Sequence, residues 1–234
     1  MSPRRPQLGA LPWLVATLTT LLAQPIQAQV VSFSAAAAGE WVRNTLILQG
    51  VREETAGPWF GGTAELKLGP VVFGGRGLRG TLRPSGAGFA FNRTAGEVQA
   101  LIRLAPVPWA GLEGSYTVRA YSSPAGYQRW DISALGIVLS APLGHPAVRA
   151  YARGSALPSV YMGGDTSRVV FSTNGQSPGL RFASEVGLKL APARSPLILG
   201  LYYRFERYDF AGNAAGRLEQ LDVMGLSVGF RTGR

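Results

Sequence analysis

Apolar and polar residues alternate along most of the chain after residue 29, and this two-residue period is that of a β-strand. The pattern is clear in segment 180–190 (LRFASEVGLKL), where Leu, Phe and Val face one side while Arg, Glu and Lys face the other. Segments 59–69, 94–105, 146–157 and 196–208 behave in the same way. Helix signals are nearly absent, so the sequence predicts an all-β protein.

The predicted strands are long. Most cover about 10–13 residues, whereas strands of soluble domains usually have about 5–6, and a tilted strand needs roughly 9–11 residues to cross a membrane. Segment 41–51 is an alternative for the first strand, and eight strands remain an alternative to ten. The predicted strands are 30–38, 59–69, 71–82, 94–105, 109–121, 129–141, 146–157, 179–191, 196–208 and 218–230.

The connections between these strands alternate in length. Short proline-containing turns occur at 69–70, 106–108, 143–146 and 192–196, and longer polar loops are predicted at 39–58, 83–93, 122–128, 158–178 and 209–217. Membrane barrels of bacteria have short periplasmic turns and longer extracellular loops. We therefore predict a closed antiparallel up-and-down β-barrel with both termini on the periplasmic side.

Closure decides which face of each strand meets lipid. In hydrocarbon every backbone polar group needs an internal partner, so only a closed sheet can span, and an Arg or Lys facing lipid at mid-membrane would cost about 2–4 kcal/mol. The apolar faces are therefore predicted to look outward, and the charged faces to form an ion-pair network in the lumen. The predicted lumen-lining residues are Glu65, Lys67, Glu97, Arg103, Glu113, Arg119, Asp131, Arg149, Arg153, Arg181, Glu185, Lys189, Arg204 and Glu206.

Aromatic residues close to the predicted strand ends are expected to form girdles at the two membrane interfaces. The predicted girdle residues are Trp59, Trp109, Trp130, Tyr203, Phe205, Tyr208 and Phe210.

The first 28 residues have the three parts of a secretory signal peptide. Arg4 and Arg5 precede an apolar stretch from Leu8 to Ala23, and a small residue, Ala28, ends the segment. This order is typical of a leader that is cleaved on export. The predicted organisation is a signal peptide at 1–28, cleaved near Ala28, followed by one barrel domain at 29–234.

The last strand carries a more specific pattern. Met224, Leu226, Val228 and Phe230 occupy alternate positions, and four further residues, 231–234, follow the terminal Phe. This pattern resembles the C-terminal assembly signal of the bacterial outer-membrane β-barrel proteins, a porin-like superfamily, although in that signal the aromatic residue is usually last. The resemblance implies an outer-membrane location, contact with outer-membrane lipids and lipopolysaccharide, and folding by the barrel-assembly machinery. The sequence does not determine the oligomeric state, for which a monomer is favoured.

Composition narrows the chemistry. The chain has no cysteine, one histidine and a formal net charge of +10, which falls to about +8 once Arg4 and Arg5 are removed with the leader. The basic residues are scattered singly, which argues against nucleic-acid binding and favours attraction to anionic lipid head groups. No cofactor, metal site or catalytic residue is predicted.

Four local motifs have features of functional sites. Segment 75–80 fits G-x-G-x-x-G but continues as a strand instead of opening a helix, so it is not a dinucleotide site. His145 lies in a predicted periplasmic turn without a nearby serine or carboxylate. Asp209 and Glu219 are expected to be solvated rim residues, and Asp165 a plain loop residue.

The predicted function is non-enzymatic: a structural or surface-interaction barrel with a largely side-chain-filled lumen, acting through loops 39–58 and 158–178. One alternative is a narrow passive channel, whose eight basic and six acidic predicted lumen residues would give a weak anion preference. Because the superfamily includes a few lipid-modifying enzymes, such an enzyme is the second alternative.

Overall fold

Ten β-strands make up the fold in the computed structural model, which describes residues 31–48, 50–86, 91–124, 126–164, 181–192, 195–210 and 217–232. Within these ranges no helix is long and apolar enough to cross a membrane. The strands are β1 (Val31–Leu48), β2 (Val51–Leu68), β3 (Val71–Pro84), β4 (Arg93–Val107), β5 (Ala110–Ser123), β6 (Gly126–Leu143), β7 (His145–Gly164), β8 (Arg181–Leu190), β9 (Leu197–Phe210) and β10 (Arg217–Thr232).

The sheet closes on itself. Every strand pairs antiparallel with its neighbours in the chain, and β1 pairs with β10 along a seam from Phe33↔Thr232 to Ile47↔Leu218. Following paired residues once around the barrel from Val31 leads back to Arg43 on the same strand, a stagger of 12 residues. Such a stagger requires strongly tilted strands. The predicted closed ten-stranded barrel is confirmed, and the eight-strand alternative is wrong.

Alternate residues of each strand face opposite sides of the wall. On β10, Met224, Leu226 and Val228 are 54–63% exposed, whereas Leu221 and Val223, which precede them and face the opposite side, are fully buried. The same alternation places Leu188 and Leu201 outside and Glu185 and Arg204 inside. The outward face is therefore apolar, which suits a wall surrounded by lipid.

The first hairpin differs from the prediction. Segments 30–38 and 41–51 are not alternatives, because β1 contains residues 31–38 of the first and 41–48 of the second, and the predicted loop 39–58 is wrong. β1 and β2 are instead joined by a short connection in which Gly50 has φ 80°, a conformation that glycine adopts without strain. The predicted loop 122–128 is likewise shorter, since β5 ends at Ser123 and β6 begins at Gly126.

A sharp boundary ends the apolar outer face on the side of this hairpin. Allowing for the stagger, the first charged outward residues of five strands lie within about two residues of one level along the barrel axis. On β1 the apolar outward positions run from Val31 to Trp41, which at roughly 2.5 Å of axial rise per tilted residue covers about 25 Å, the height of a membrane barrel's apolar band. The five boundary residues are Arg43, Arg79, Asp131, Arg207 and Asp222.

Candidate functional site: the barrel lumen

The structure places thirteen of the fourteen predicted lumen residues on inward-facing positions of the strands. They are distributed from the end with the short turns, where Lys67 and Arg149 lie, to the opposite end, where Arg181 begins β8. The thirteen are Glu65, Lys67, Glu97, Arg103, Glu113, Arg119, Arg149, Arg153, Arg181, Glu185, Lys189, Arg204 and Glu206.

Asp131 is the exception, and its predicted position is wrong. Its neighbours Trp130 and Ile132 are buried inside at 1% and 3% exposure, so Asp131 faces outward. It accepts a hydrogen bond of 2.8 Å from the outward Tyr116 hydroxyl and pairs with Arg129 at 2.9 Å. The charge is tolerated because this position lies at the outer boundary of the apolar band, where water is available.

Three of the predicted girdle aromatics also face the interior. Trp59, Trp130 and Tyr208 are at most 1% exposed, whereas Trp109 and Tyr203 are exposed as predicted; the side chain of Phe210 lies outside the described residues. Trp130 packs edge-on against Tyr208, with ring centroids 5.0 Å apart. These rings belong to the outer apolar layer, which fills the lumen at and beyond the outer boundary and comprises Val42, Trp59, Leu82, Tyr121, Trp130, Ile132, Tyr208, Leu221 and Val223.

Below this layer lies the central ion-pair layer, formed by Glu40, Arg76, Glu97, Arg119, Arg204 and Glu206. Glu97 receives three arginines: Arg76, Arg119 at 2.6 Å and Arg204 at 3.4 Å. Further contacts join Arg76 to Glu40 at 3.2 Å, Arg119 to Glu206 at 2.8 Å, and Arg204 to Glu40 at 3.4 Å and Glu206 at 3.3 Å. The hydroxyls of Tyr202 and Tyr208 donate to Glu40 and Glu206 at 2.6 and 2.5 Å.

Charge balance explains why these ions can be buried. Three arginines meet three glutamates, and their side chains are at most 9% exposed. Removing ions from water costs several kcal/mol each unless partners and hydrogen bonds replace the water. The layer supplies both, and it links β1, β3, β4, β5 and β9 across the lumen.

An inner ion-pair layer lies on the side of the short turns and comprises Glu65, Arg103, Glu113, Arg153 and Glu185. Arg103 contacts Glu113 at 2.7 Å and Glu65 at 3.6 Å, and Arg153 contacts Glu113 at 3.3 Å and Glu185 at 3.8 Å. The Tyr151 hydroxyl donates to Glu185 at 3.0 Å. A cavity of about 50 Å³ remains in the lumen, lined by charged residues of both ion-pair layers and by apolar side chains such as Ile132 and Leu157, and it has room for roughly three or four water molecules.

The end of the lumen with the short turns is basic. Lys67, Arg149, Lys189 and Arg231 all face inward there, and none has an acidic partner among the described residues. Arg149 and Lys189 are directly paired across β7 and β8, an arrangement of like charges that is unfavourable by itself. Arg149 bonds instead to Ser140 and to the Pro108 carbonyl, and Arg231 to the carbonyls of Ala191 and Pro192.

The sequence analysis missed three members of the central layer's network. Glu40 lies in the segment predicted to be a loop, Arg76 lies within the G-x-G-x-x-G segment, and Tyr202 lies in the alternating segment 196–208, of which only Arg204 and Glu206 are predicted to line the lumen. Extending the alternation of β1 through Ala38, Glu40 and Val42 would have found Glu40. Apolar residues on both faces of β3 hide Arg76.

The four local motifs form no catalytic arrangement among the described residues. His145, the chain's one histidine, is exposed at the start of β7 and accepts a hydrogen bond from the Ala147 amide at 3.1 Å. Glu219 is not a solvated rim residue, since it is 1% exposed and bonds to Asn44 and Arg217 at 2.8 Å. Segment 75–80 is part of β3, and Asp165 lies outside the described residues.

These observations define a membrane-spanning β-barrel whose lumen is filled by its own side chains. The fold is similar to that of the outer membrane protease OmpT from Escherichia coli, with a TM-score of 0.52 and 9% sequence identity over 92% of this chain and 100% of that one. The translocator domain of the autotransporter NalP from Neisseria meningitidis gives a TM-score of 0.49 and 13% identity over 94% and 95% of the two chains. No family model and no curated protein sequence matches. The chain therefore has the fold of the bacterial outer-membrane β-barrels.

Proposed function

We propose that this protein is a non-enzymatic, non-conducting barrel of the bacterial outer membrane that acts as a structural and surface element. The observation that carries the proposal is the sequence of layers across the lumen. The central ion-pair layer links opposite walls, and the outer apolar layer closes the space above it. A hydrated ion would have to break buried ion pairs and then pass between closely packed aromatic and aliphatic side chains.

The barrel wall itself supplies the surface element. β1 and β2 continue five residues or more beyond the boundary residue Arg43 and end in a tight turn. A wall that rises above the lipid in this way presents a stiff, hydrogen-bonded rim to the exterior. The short turns and both chain ends of the described barrel lie at the opposite, periplasmic end.

A narrow channel with weak anion preference is the second candidate function. The basic periplasmic mouth favours it, since Lys67, Arg149, Lys189 and Arg231 would concentrate anions there. The buried layers above this mouth argue against passage. A lipid-modifying enzyme has less support, because the described residues bring no histidine to the acidic groups of the lumen.

Planar-bilayer recording of the purified, refolded protein tests the proposal. We expect no stable conductance steps from protein whose insertion is verified by flotation with vesicles and by a heat-dependent shift in gel mobility. Reproducible anion-selective steps would establish the channel instead. Mass spectrometry of lipopolysaccharide incubated with the protein tests the enzyme alternative, and a gain or loss of an acyl chain would refute the non-enzymatic role.

A further inference from the structure

The basic periplasmic mouth consists of four inward side chains that lie at one level of the barrel: Lys67, Arg149, Lys189 and Arg231. Allowing for the stagger between strands, their Cα atoms lie within about two residues, or roughly 4 Å, of each other along the barrel axis. They belong to β2, β7, β8 and β10, and β2 and β7 stand on opposite sides of the ten-stranded wall. The four cations therefore surround the lumen instead of forming a patch on one side of it.

Carboxylates are scarce at this end of the lumen. No Asp or Glu occurs in the four short turns, at 69–70, 105–109, 141–147 and 191–196. Among the described residues the carboxylate nearest to the mouth along the axis is Glu65 of the inner ion-pair layer, which Arg103 contacts at 3.6 Å. Because that layer holds three glutamates and two arginines, it offsets only one of the four positive charges of the mouth.

The two arginines of the mouth are held in place by uncharged groups of the wall. Arg149 donates from Nε to the Ser140 hydroxyl and from Nη2 to the Pro108 carbonyl, both at 3.0 Å. Arg231 donates from Nη2 to the Pro192 carbonyl at 3.1 Å. These acceptors fix the orientation of each guanidinium group but do not neutralise it. A guanidinium has five N–H donors, so both arginines retain donors for a further acceptor.

The two lysines have no hydrogen-bond or ion-pair partner among the described residues. Lys189 is also the direct register partner of Arg149 across β7 and β8, and like charges that face each other on neighbouring strands are unfavourable. In the two ion-pair layers, by contrast, every arginine contacts a glutamate. An anion bound between the cations of the mouth would remove this repulsion.

The mouth is a pocket that opens to the periplasm and is closed above by the inner ion-pair layer. Opposite walls of a barrel of this size lie roughly 20 Å apart, so long side chains from both sides can reach a group near the axis. Small residues such as Ser32, Ser34 and Gly111 also face inward near this level and leave room between the cations. A membrane lipid beside the outer wall cannot reach these cations, because they face the lumen.

We propose that the periplasmic mouth binds one phosphate group, either inorganic phosphate or the terminal phosphoryl group of a soluble phosphate ester. The oxygens of a phosphate dianion are arranged tetrahedrally, so they can accept hydrogen bonds from cations on several sides at once. A carboxylate presents two oxygens in one plane, which suits a single arginine better than four cations around an axis. The site does not require a closed lumen, but its access from the periplasm rests on the proposed outer-membrane location.

Phosphorus NMR of the refolded protein in an uncharged detergent tests this site. Inorganic phosphate and glycerol phosphate are titrated separately at constant ionic strength and at about pH 8, where phosphate is mainly a dianion. We expect saturable binding of one phosphate per barrel. The variant Lys67→Gln/Lys189→Gln should bind on the order of tenfold more weakly, because each exposed charged contact contributes modestly. Tighter binding of glycerol phosphate would identify an ester as the ligand, and tighter binding of inorganic phosphate would identify the free ion.

The control variant Arg79→Gln/Arg83→Gln loses the same charge from exposed positions of β3 on the outer wall and should bind phosphate as the wild type does. Malonate, a dianion with two planar carboxylates, serves as a competitor and should displace phosphate only weakly. The single variants Lys67→Gln and Lys189→Gln, each expected to weaken binding about threefold, replace the double variant if it does not refold.

Three results would overturn the inference: no saturable binding by the wild type, equal losses in the lysine variant and its control, or competition by malonate as effective as that by phosphate itself. Any of them leaves the closed lumen standing, because that proposal is tested by conductance. A barrel that conducts ions and still binds phosphate through Lys67 and Lys189 would refute the proposed function alone.

Discussion

Replacing Glu97 by glutamine is the sharpest test of the central ion-pair layer. The Glu97 side chain is inaccessible to solvent and lies among Arg76, Arg119 and Arg204. Glutamine keeps the volume and one acceptor oxygen but removes the charge, so three buried arginines would face only Glu40 and Glu206. Leaving a buried charge uncompensated costs about 3–5 kcal/mol, and because one acceptor remains we expect about 3 kcal/mol.

The measurement is urea unfolding of the barrel in lipid vesicles, followed by tryptophan fluorescence. Glu53→Gln is the matched control, because Glu53 pairs with Arg93 at 3.1 Å near the open rim, where both side chains retain solvent contact; its expected cost is below about 1 kcal/mol. The variant Glu97→Gln/Arg119→Gln restores neutrality to the layer. Relative to the sum of the two single variants, it should recover at least about 1 kcal/mol.

Equal costs for Glu97→Gln and Glu53→Gln would refute this reasoning, and so would strict additivity in the double variant. Either result would mean that water reaches the central layer freely and screens its charges. The lumen would then be open, and the proposal of a non-conducting barrel would lose its physical basis.

Two further variants test the outer apolar layer and the lipid-facing wall. Trp130→Ala removes a buried ring that packs on Tyr208 and lies 5.5 Å beneath the Arg217 guanidinium, and it should lower the free energy of unfolding by about 3–5 kcal/mol. The control Trp109→Ala, at an exposed ring, should lower it by under about 1 kcal/mol. Similar losses in the two variants would contradict the inward placement of Trp130. Leu226→Arg, in the middle of the apolar outer face, should lower the free energy of unfolding in vesicles by about 2–4 kcal/mol. Gln220→Arg, on the same strand beyond the boundary, should lower it by about 0–1 kcal/mol. Unfolding midpoints that shift equally would show that the boundary is misplaced.

The alternation of apolar and polar residues predicted the fold well because the outer surface of the wall faces a uniformly apolar environment below the boundary. Along β9 and β10 the outward residues up to the boundary meet only lipid, so apolar side chains recur there without interruption and the faces are unambiguous. Above the boundary this rule ends. The segment around Gly50 and Gly57 looks like a loop in sequence, yet water on the outside and a packed lumen on the inside allow it to form two paired strands.

The same boundary explains the misplacement of Asp131. The sequence places the Asp131 charge in the lumen because lipid excludes charge. Whether the position meets lipid or water depends on its level along the barrel axis, and that level is set by the stagger of the closed sheet, which cannot be read from one strand. The inward position of Trp59 could have been predicted, because adjacent residues of a strand face opposite sides and Phe60 faces outward. The individual ion pairs depend on which strands face each other across the closed cylinder, so they could not be read from sequence.

Side-chain contacts across the seam between β1 and β10 hold the barrel closed. Glu40 and Asn44 stand on β1, and their partners include Arg204 on β9 and Glu219 on β10. Before β1 and β10 pair, Glu40 is separated from Arg204 and Glu219 is separated from Asn44. An open sheet would expose the charged groups to the bilayer, which is unfavourable in free energy. Assembly should therefore finish in one cooperative step, and once the last strand is paired the reverse motion must separate Arg204 from Glu40 and Asn44 from Glu219 together. Such a closure should lower the rate of unfolding more than it raises the free energy of unfolding.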